Sequence, residues 1–407
     1  MKILYIAYSC SPNNGTEDKL GWYIPSGMAS DNEVWIITKP DDKEDIDQYI
    51  RENSLNINVL YCDIPNIYKS LFNGAFYPAR QGVWIKKIIP TVKWVCLENK
   101  IDIIHQVNPV EFRSIGNFGV FGIPFVCGPI GGGEYMPKDV ISYAKGNLDK
   151  EAIRAFANSF YKAKFKVTGR IKNCRKLLFA NVETRDYLIP EKYRNHYDVI
   201  TELGIVLENH DSNIKLNDRA IFISAGRLIY RKGFSLLLDA VRLIPQEFDF
   251  IVYIIGVGPL FEKLQKIVKN DTCLSSRVKL LGYVQHTKMK DYYSCANYLV
   301  MPSLRETTGS VVLEALERGI PVITVKKFGA LNLLNDSNSI MYEYIDGLSP
   351  AEVLADAMIK GIKKKDEFSR EKIIESSMEF SFDRKCALYE KMYKSILDGD
   401  ALEGSHE

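Results

Sequence analysis

Short apolar runs alternate with longer stretches of helical periodicity from one end of the chain to the other. In the first half, runs that read as strands stand at 3–8 (ILYIAY), 33–38 (EVWIIT), 57–62 (INVLYC), 101–105 (IDIIH), 124–128 (PFVCG), 177–182 (LLFANV) and 198–203 (DVITEL). Most are β-branched, continuous rather than alternating, and followed by polar or Gly/Pro-rich turns, which is the pattern of parallel strands buried on both faces. A polar stretch over 206–217 interrupts the pattern. It restarts at 220–225 (AIFISA), 249–255 (DFIVYII), 277–282 (RVKLLG), 297–301 (NYLVM), 320–324 (IPVIT) and 339–342 (SIMY). Two runs of βα units joined by a linker predict an α/β protein with two Rossmann-like, doubly wound domains, 1–205 and 218–375. Ligands of such sheets sit at the carboxyl ends of the strands, so the cleft between the domains is the expected site. Residues 376–398 predict a helix with Leu388, Met392 and Ile396 on the face that packs onto a domain. Residues 399–407 read as a mobile tail.

Composition narrows the classes without choosing among them. Over 407 residues, 53 Lys and Arg balance 51 Asp and Glu to a net charge of +2, which speaks against a nucleic-acid partner. The longest uncharged stretch, 114–133, holds seven Gly and two Pro and therefore reads as strands and loops rather than a membrane span. The apolar start reaches Ser9-Cys10-Ser11-Pro12 too soon for a signal peptide, and eight scattered cysteines form no CxxC pair. The expectation is a cytoplasmic protein with reduced thiols, and with no zinc site.

The densest chemistry lies over 296–325. A strand ends at Met301-Pro302-Ser303, a loop carries Glu306, and a helix beginning near Thr308 or Gly309 carries Glu314 among Val311, Val312, Leu313, Ala315 and Leu316. A carboxylate on an apolar helix face is costly unless something satisfies it. Glu314 either points to solvent between buried neighbours or accepts hydrogen bonds from ligand hydroxyls, with Glu306 facing the same ligand. Backbone N–H groups at Gly309, Ser310 and Val311 would meet a phosphate at the helix start. Arg227 and Lys232 follow the strand 220–225 at the same sheet edge. Two cations, a helix start and paired carboxylates at one edge suit a sugar nucleotide, the cations for its diphosphate and the carboxylates for its hydroxyls.

Together these motifs resemble the retaining family 4 glycosyltransferases of the GT-B fold. Arg227 and Lys232 in GRLIYRKG match that family's basic pair, and Glu306 and Glu314 in ETTGSVVLE match its E-x7-E signature. IIGVGP (254–259) is similar to its second glycine turn, and LLGYV (280–284) to its base-contacting segment. In the first half, 10–22 and 105–137 resemble one bacterial branch, so the likeness covers nearly the whole chain. The resemblance implies transfer, with retention, of a sugar from a UDP- or GDP-linked donor to a saccharide or lipid-linked acceptor in bacterial surface glycan synthesis. It implies that Arg227 and Lys232 neutralise the departing diphosphate, Glu306 orients the donor sugar and Glu314 binds the ribose. Gly256 and Gly258 would allow close backbone approach, and Tyr283 and Val284 would lie near the base. The C-terminal helix would cross back to the first domain. No metal and no cofactor is expected beyond the substrate. Other readings are a GT-B phosphorylase or epimerase, and a non-catalytic sugar-nucleotide-binding subunit.

The acceptor half is less distinct. Gly15 is either the glycine that admits the diphosphate or part of a surface turn, Asn13-Asn14-Gly15. Gly131-Gly132-Gly133-Glu134 follows a strand, and three consecutive glycines predict close approach of a ligand or of other backbone at the cleft. His105 ends a strand and stands as either an acceptor-side contact or a buried, backbone-bonded histidine. Finally, 162–176 (KAKFKVTGRIKNCRK) holds seven Lys or Arg and no acid. It is either a solvated face or, with Phe165 and Ile171 at the interface, a dock for an anionic membrane surface. The Trp-bearing segment 82–95 is a second amphipathic candidate.

Overall fold

The computed structural model describes residues 1–72, 77–206 and 219–399. The expected linker at 206–217 and tail at 399–407 lie outside these residues, save for Val206 and Gly399. The strands are β1 (Lys2–Ala7), β2 (Glu33–Thr38), β3 (Ile57–Tyr61), β4 (Ile103–Asn108), β5 (Phe125–Ile130) and β6 (Lys176–Phe179) in one sheet. A second sheet holds β7 (Ala220–Ala225), β8 (Phe250–Ile255), β9 (Val278–Gly282), β10 (Tyr298–Met301), β11 (Val322–Val325) and β12 (Ser339–Tyr342). Both are parallel throughout, ordered β3-β2-β1-β4-β5-β6 and β12-β11-β10-β7-β8-β9. Chain direction across each sheet reverses once, between β1 and β4 and between β7 and β10. Loops leaving those paired strands diverge, and ligands of open α/β sheets bind there.

Burial explains the continuous apolar runs. Leu4 and Ile6 of β1, with Tyr8 just past it, face one core cluster while Ile3, Tyr5 and Ala7 face another, so both faces of the first sheet are covered by helices. The segment 198–203 is the exception among the expected strands. It makes a single bridge, Val199 to Phe179, beside the short edge strand β6 and continues no ladder.

The chain divides into two compact units, Met1–Glu134 with Lys150–Val206 and Phe380–Glu407, and Tyr135–Asp149 with Leu207–Glu379. The expected unbroken first domain, 1–205, is therefore interrupted at 135–149. Met136, Val140 and Ala144 are buried in the core of the second unit, which is what assigns this segment to it.

The Phe382–Leu397 helix lies in the first unit against the Thr16–Met28 helix. Its buried face is Phe382, Lys385, Cys386, Tyr389 and Tyr393, one step around from the expected face. Leu388 is left largely exposed, because two tyrosine rings supply more apolar area than the aliphatic stripe. These rings settle the role of His105. It is fully buried, its Nε2 donates to the Gly128 carbonyl at 2.7 Å, and its Nδ1 accepts from the Tyr393 hydroxyl. Since a carbonyl can only accept, the proton must sit on Nε2. Tyr5 completes the chain, 3.3 Å from the Tyr393 hydroxyl. His105 is thus the buried, backbone-bonded histidine and not an acceptor-side contact.

Burial pulls the His105 pKa down to about 4. The unfolded chain takes up this proton near 6.5 and the folded chain does not until about 4, so stability should fall as pH drops through that window. The expected contribution is about 3 kcal/mol by pH 4. Denaturant melts of wild type and His105→Gln at stepped pH values test this; the pH slope between 6.5 and 4 should be shallower in the variant.

Candidate active site

The second unit concentrates its polar chemistry where the loops after β7 and β10 part. Gly233, in a left-handed conformation at φ 73°, permits the meeting of these loops: a Cβ there would stand 1.9 Å from the Pro302 carbonyl oxygen. The Leu304 N–H then donates to the Arg231 carbonyl at 2.8 Å. This backbone clasp brings two cations against one carboxylate. Glu306 is only 7% exposed, yet its Oε2 takes the Lys232 ammonium and its Oε1 lies 3.3 Å from Arg231 Nη1. Ser303 Oγ adds a donor at 3.4 Å. Burial by itself would raise the Glu306 carboxyl, but Lys232 and Arg231 outweigh it and hold the group below the ordinary carboxylate range.

Arg227 stands apart on the same loop. Its side chain is exposed and has no hydrogen bond or ion pair among the described residues. Beyond Glu306, Gly309 sits at φ 92° with Met301 Sδ 2.7 Å from where a Cβ would be, and the Ser310–Leu316 helix starts immediately after it. Glu314 on that helix is half-buried. Its Oε2 accepts from the Tyr293 hydroxyl at 3.2 Å, so the carboxylate does not simply point to solvent. Burial first, and then the charge of Glu314, lift the Tyr293 phenol well above its ordinary range, so it remains a donor. Arg318 closes the group by stacking 5.1 Å over the Tyr293 ring and donating to the Glu314 carbonyl at 2.9 Å.

Gly256 and Gly258 do allow a close approach, and the partner is the chain itself. A Cβ on Gly256 would lie 2.0 Å from the Gly226 carbonyl oxygen, and one on Gly258 would lie 2.6 Å from that of Leu228. Gly226 and Leu228 donate to Ile255 and Val257, which extends the β7–β8 ladder past the strand ends and fixes the base of the Arg227 loop. Tyr283, after β9, is 74% exposed, and Val284 is partly so.

In the first unit the expected acceptor-side residues are absorbed into packing. Glu134 is buried and accepts from Gly132 N–H at 2.9 Å, Asn181 Nδ2 at 2.7 Å and Thr184 Oγ1 at 3.2 Å, with Arg154 Nη2 at 3.3 Å. A Cβ on Gly132 would meet the Glu111 carboxylate, and one on Gly133 would meet Thr184. The Gly131 carbonyl accepts from Phe112 N–H. Other parts of the protein, rather than open space, surround this glycine run. Gly15 is exposed with ordinary dihedrals, φ −58° and ψ 180°, so the backbone there does not require glycine. The basic segment is also partly committed: Phe165 is buried, Arg170 donates to the Ile115 carbonyl at 2.6 Å, and Lys176 pairs with Asp198 at 2.7 Å. Phe165 therefore cannot serve an interface, and Ile171 packs against the core.

Sequence reading passed over Arg231, Tyr293 and Arg154. Arg231 carried a signal, since it adjoins Lys232 in YRKG. Nothing local links Tyr293 to Glu314, or Arg154 to a carboxylate twenty positions back.

Residues 206–378 match the family model described as Glycosyl transferases group 1. The lipopolysaccharide core biosynthesis glycosyltransferase LpsE of Rhizobium meliloti is 29% identical over 130 residues, 32% of this chain and 36% of that protein. The chain spans about a third to a half of the length of the curated relatives it matches. Among solved structures, the lipopolysaccharide outer core galactosyltransferase WaaB superposes with a TM-score of 0.60 at 16% identity, covering 96% of this chain and 100% of WaaB. Anabaena HepE in complex with UDP gives 0.60 at 15% identity, covering 97% and 100%. The two six-stranded parallel sheets are thus those of the GT-B fold, and residues 206–378 are similar to the glycosyl transferases group 1 model.

Because Glu306 is buried, removing one cation should expose its desolvation cost. Lys232→Ala is expected to destabilise the protein by about 3 kcal/mol, and Glu306→Gln in the same chain should recover most of that. Chemical denaturation of the two single variants and the double variant measures the coupling, which should exceed about 1 kcal/mol.

Proposed function

We propose that the chain is a retaining glycosyltransferase that moves a sugar from a nucleoside-diphosphate donor to a saccharide or lipid-linked acceptor in surface glycan synthesis. The observation that carries this reading is the charge arrangement after β7 and β10. Two cations, Arg231 and Lys232, are paired with one carboxylate, Glu306, and Arg227 on the same loop as those cations is exposed and unpaired among the described residues. A diphosphate leaving group gains negative charge as its bond to the anomeric carbon breaks, and fixed cations stabilise that charge without reorganising. The N–H groups of Gly309, Ser310 and Val311 at the helix start add donors of the same sign. On this reading the cations do the work a metal would otherwise do, and no cofactor is required beyond the substrate.

Glu306 has two tasks. It holds Arg231 and Lys232 in place, and its carboxylate borders the position of the donor sugar, whose hydroxyls it would orient. Glu314 offers Oε1 to the ribose hydroxyls while Tyr293 fixes Oε2. Tyr283, exposed after β9, offers a ring to the base, with Val284 beside it. UDP is the first donor nucleotide to test, because HepE is seen in complex with it; GDP is the second. The surface-glycan setting follows from LpsE and WaaB, both named for lipopolysaccharide work.

Arg227→Ala should lower kcat/KM by roughly a hundredfold or more and leave the unfolding midpoint unchanged, since the exposed side chain has no hydrogen bond or ion pair among the described residues to lose. Turnover should survive chelators. A near-wild-type rate in Arg227→Ala, measured as nucleotide release with candidate acceptors, would overturn the donor-site assignment.

Glu314→Gln should weaken binding of the bare nucleoside diphosphate, read by calorimetry. Glu306→Gln should mainly impair turnover of the complete donor. Equal loss of nucleotide affinity in both would refute this division.

A further inference from the structure

Two helices of the first unit carry apolar side chains on the face turned away from its core. In the Leu148–Thr168 helix, Asn158 and Phe165 point inward. Ile153, Phe156, Phe160 and Val167 recur at helical spacing on the opposite side, exposed by 57, 76, 57 and 87%. In the Tyr77–Asn99 helix, Trp84, Ile88, Val92 and Val95 are buried, while Ile89, Trp94 and Leu97 are exposed.

Cations border both faces. Lys86 and Lys93 are exposed on the Tyr77–Asn99 helix, whose sole acid is Glu98, and Lys164 and Lys166 flank the phenylalanines of the Leu148–Thr168 helix. No acid occurs from Ala152 to Asn181. The two helices bury their inner faces in the same core cluster, through Trp84, Ile88 and Val92 on one and Phe165 on the other, and partial burial with the charges of Arg170 and Lys86 holds the Lys164 ammonium below its ordinary range. Lys164 lies over the Tyr161 ring and Phe160 packs against that ring's edge, but among the described residues none of Lys86, Lys93, Lys164 and Lys166 has an ion pair, and the phenylalanines beside them are exposed. None of the described helices is long and apolar enough to cross a membrane, so any lipid contact by these faces is at the surface.

We propose that this face docks the protein onto an anionic phospholipid bilayer. Phe156, Phe160, Val167, Trp94 and Leu97 enter the headgroup boundary, and Lys86, Lys93, Lys164 and Lys166 reach the lipid phosphates on their long stems. A bilayer meets both requirements at once, apolar depth beneath a negative surface. The phenylalanines at the interface are thus Phe156 and Phe160, not Phe165. Docking would hold an active site beside a lipid-linked acceptor, but the surface stands on its own residues and not on the donor chemistry.

Trp94 supplies a built-in reporter. The other three tryptophans, Trp22, Trp35 and Trp84, are already buried, so a blue shift of intrinsic fluorescence on adding vesicles comes from Trp94. The full chain should float with vesicles of phosphatidylcholine and phosphatidylglycerol, show that shift, and release as salt rises. Phosphatidylcholine alone should capture little. Phe156→Ser with Phe160→Ser, and Lys164→Glu with Lys166→Glu, should each weaken vesicle binding roughly tenfold or more. Both pairs should spare sugar transfer between soluble substrates, so loss of docking is separable from failure of the donor site. No binding to anionic vesicles, or binding unchanged in both variants, overturns the proposal. So does a chain that ignores vesicles and self-associates through Phe156 and Phe160, because the face would then belong to a second copy.

Discussion

The cost of taking Glu306 out of water governs the carboxyl edge of the second sheet. A carboxylate so enclosed must be matched by cations, and the matching cations sit on a different loop, more than seventy residues earlier. That match is possible only because Gly233 lets the Pro302 carbonyl approach within a distance no side chain would allow. Gly256 and Gly258 do the same one strand over, letting the β7 and β8 loops continue their ladder beneath Arg227. Glycine placement, charge pairing and the reversal of strand order between β7 and β10 are therefore one arrangement. Two of its three cations are held by Glu306, and the third, Arg227, is exposed without an ion pair among the described residues.

The first unit uses similar residues to a different end. His105, Glu134 and the three glycines look like site chemistry in sequence, yet each is consumed internally. The imidazole is closed between Gly128 and Tyr393, and the Glu134 carboxylate is filled by Gly132, Asn181, Thr184 and Arg154. Buried polar groups of this kind specify packing because leaving any one unpaired is expensive. The C-terminal helix takes part in the same economy, since its Tyr393 hydroxyl fixes the tautomer of a histidine almost three hundred residues away.

Exposure follows another logic. On the Leu148–Thr168 helix the buried face needs only a few residues, and the opposite face spends phenylalanines on solvent. Single exposed apolar residues are ordinary; a helical stripe of them bordered by lysines, with no acid from Ala152 to Asn181, is not.

Sequence alone determined the layer architecture, because strands buried on both faces must be continuously apolar, and β1 to β12 follow from that demand. It also pointed to Arg227, Lys232, Glu306 and Glu314 as one group on the loops and helix that follow two neighbouring strands, and of these the structure pairs Lys232 with Glu306. The tertiary structure decided what local pattern does not encode. It added Arg231 and Tyr293 to the group, transferred 135–149 to the second core, and turned the C-terminal helix one step to bury Tyr389 and Tyr393. It closed His105, Glu134 and Phe165 away and left Phe156 and Phe160, ahead of the basic segment, exposed. In each case the deciding contact joins residues distant in the chain, and hydrophobic period and motif spacing report only on what is near.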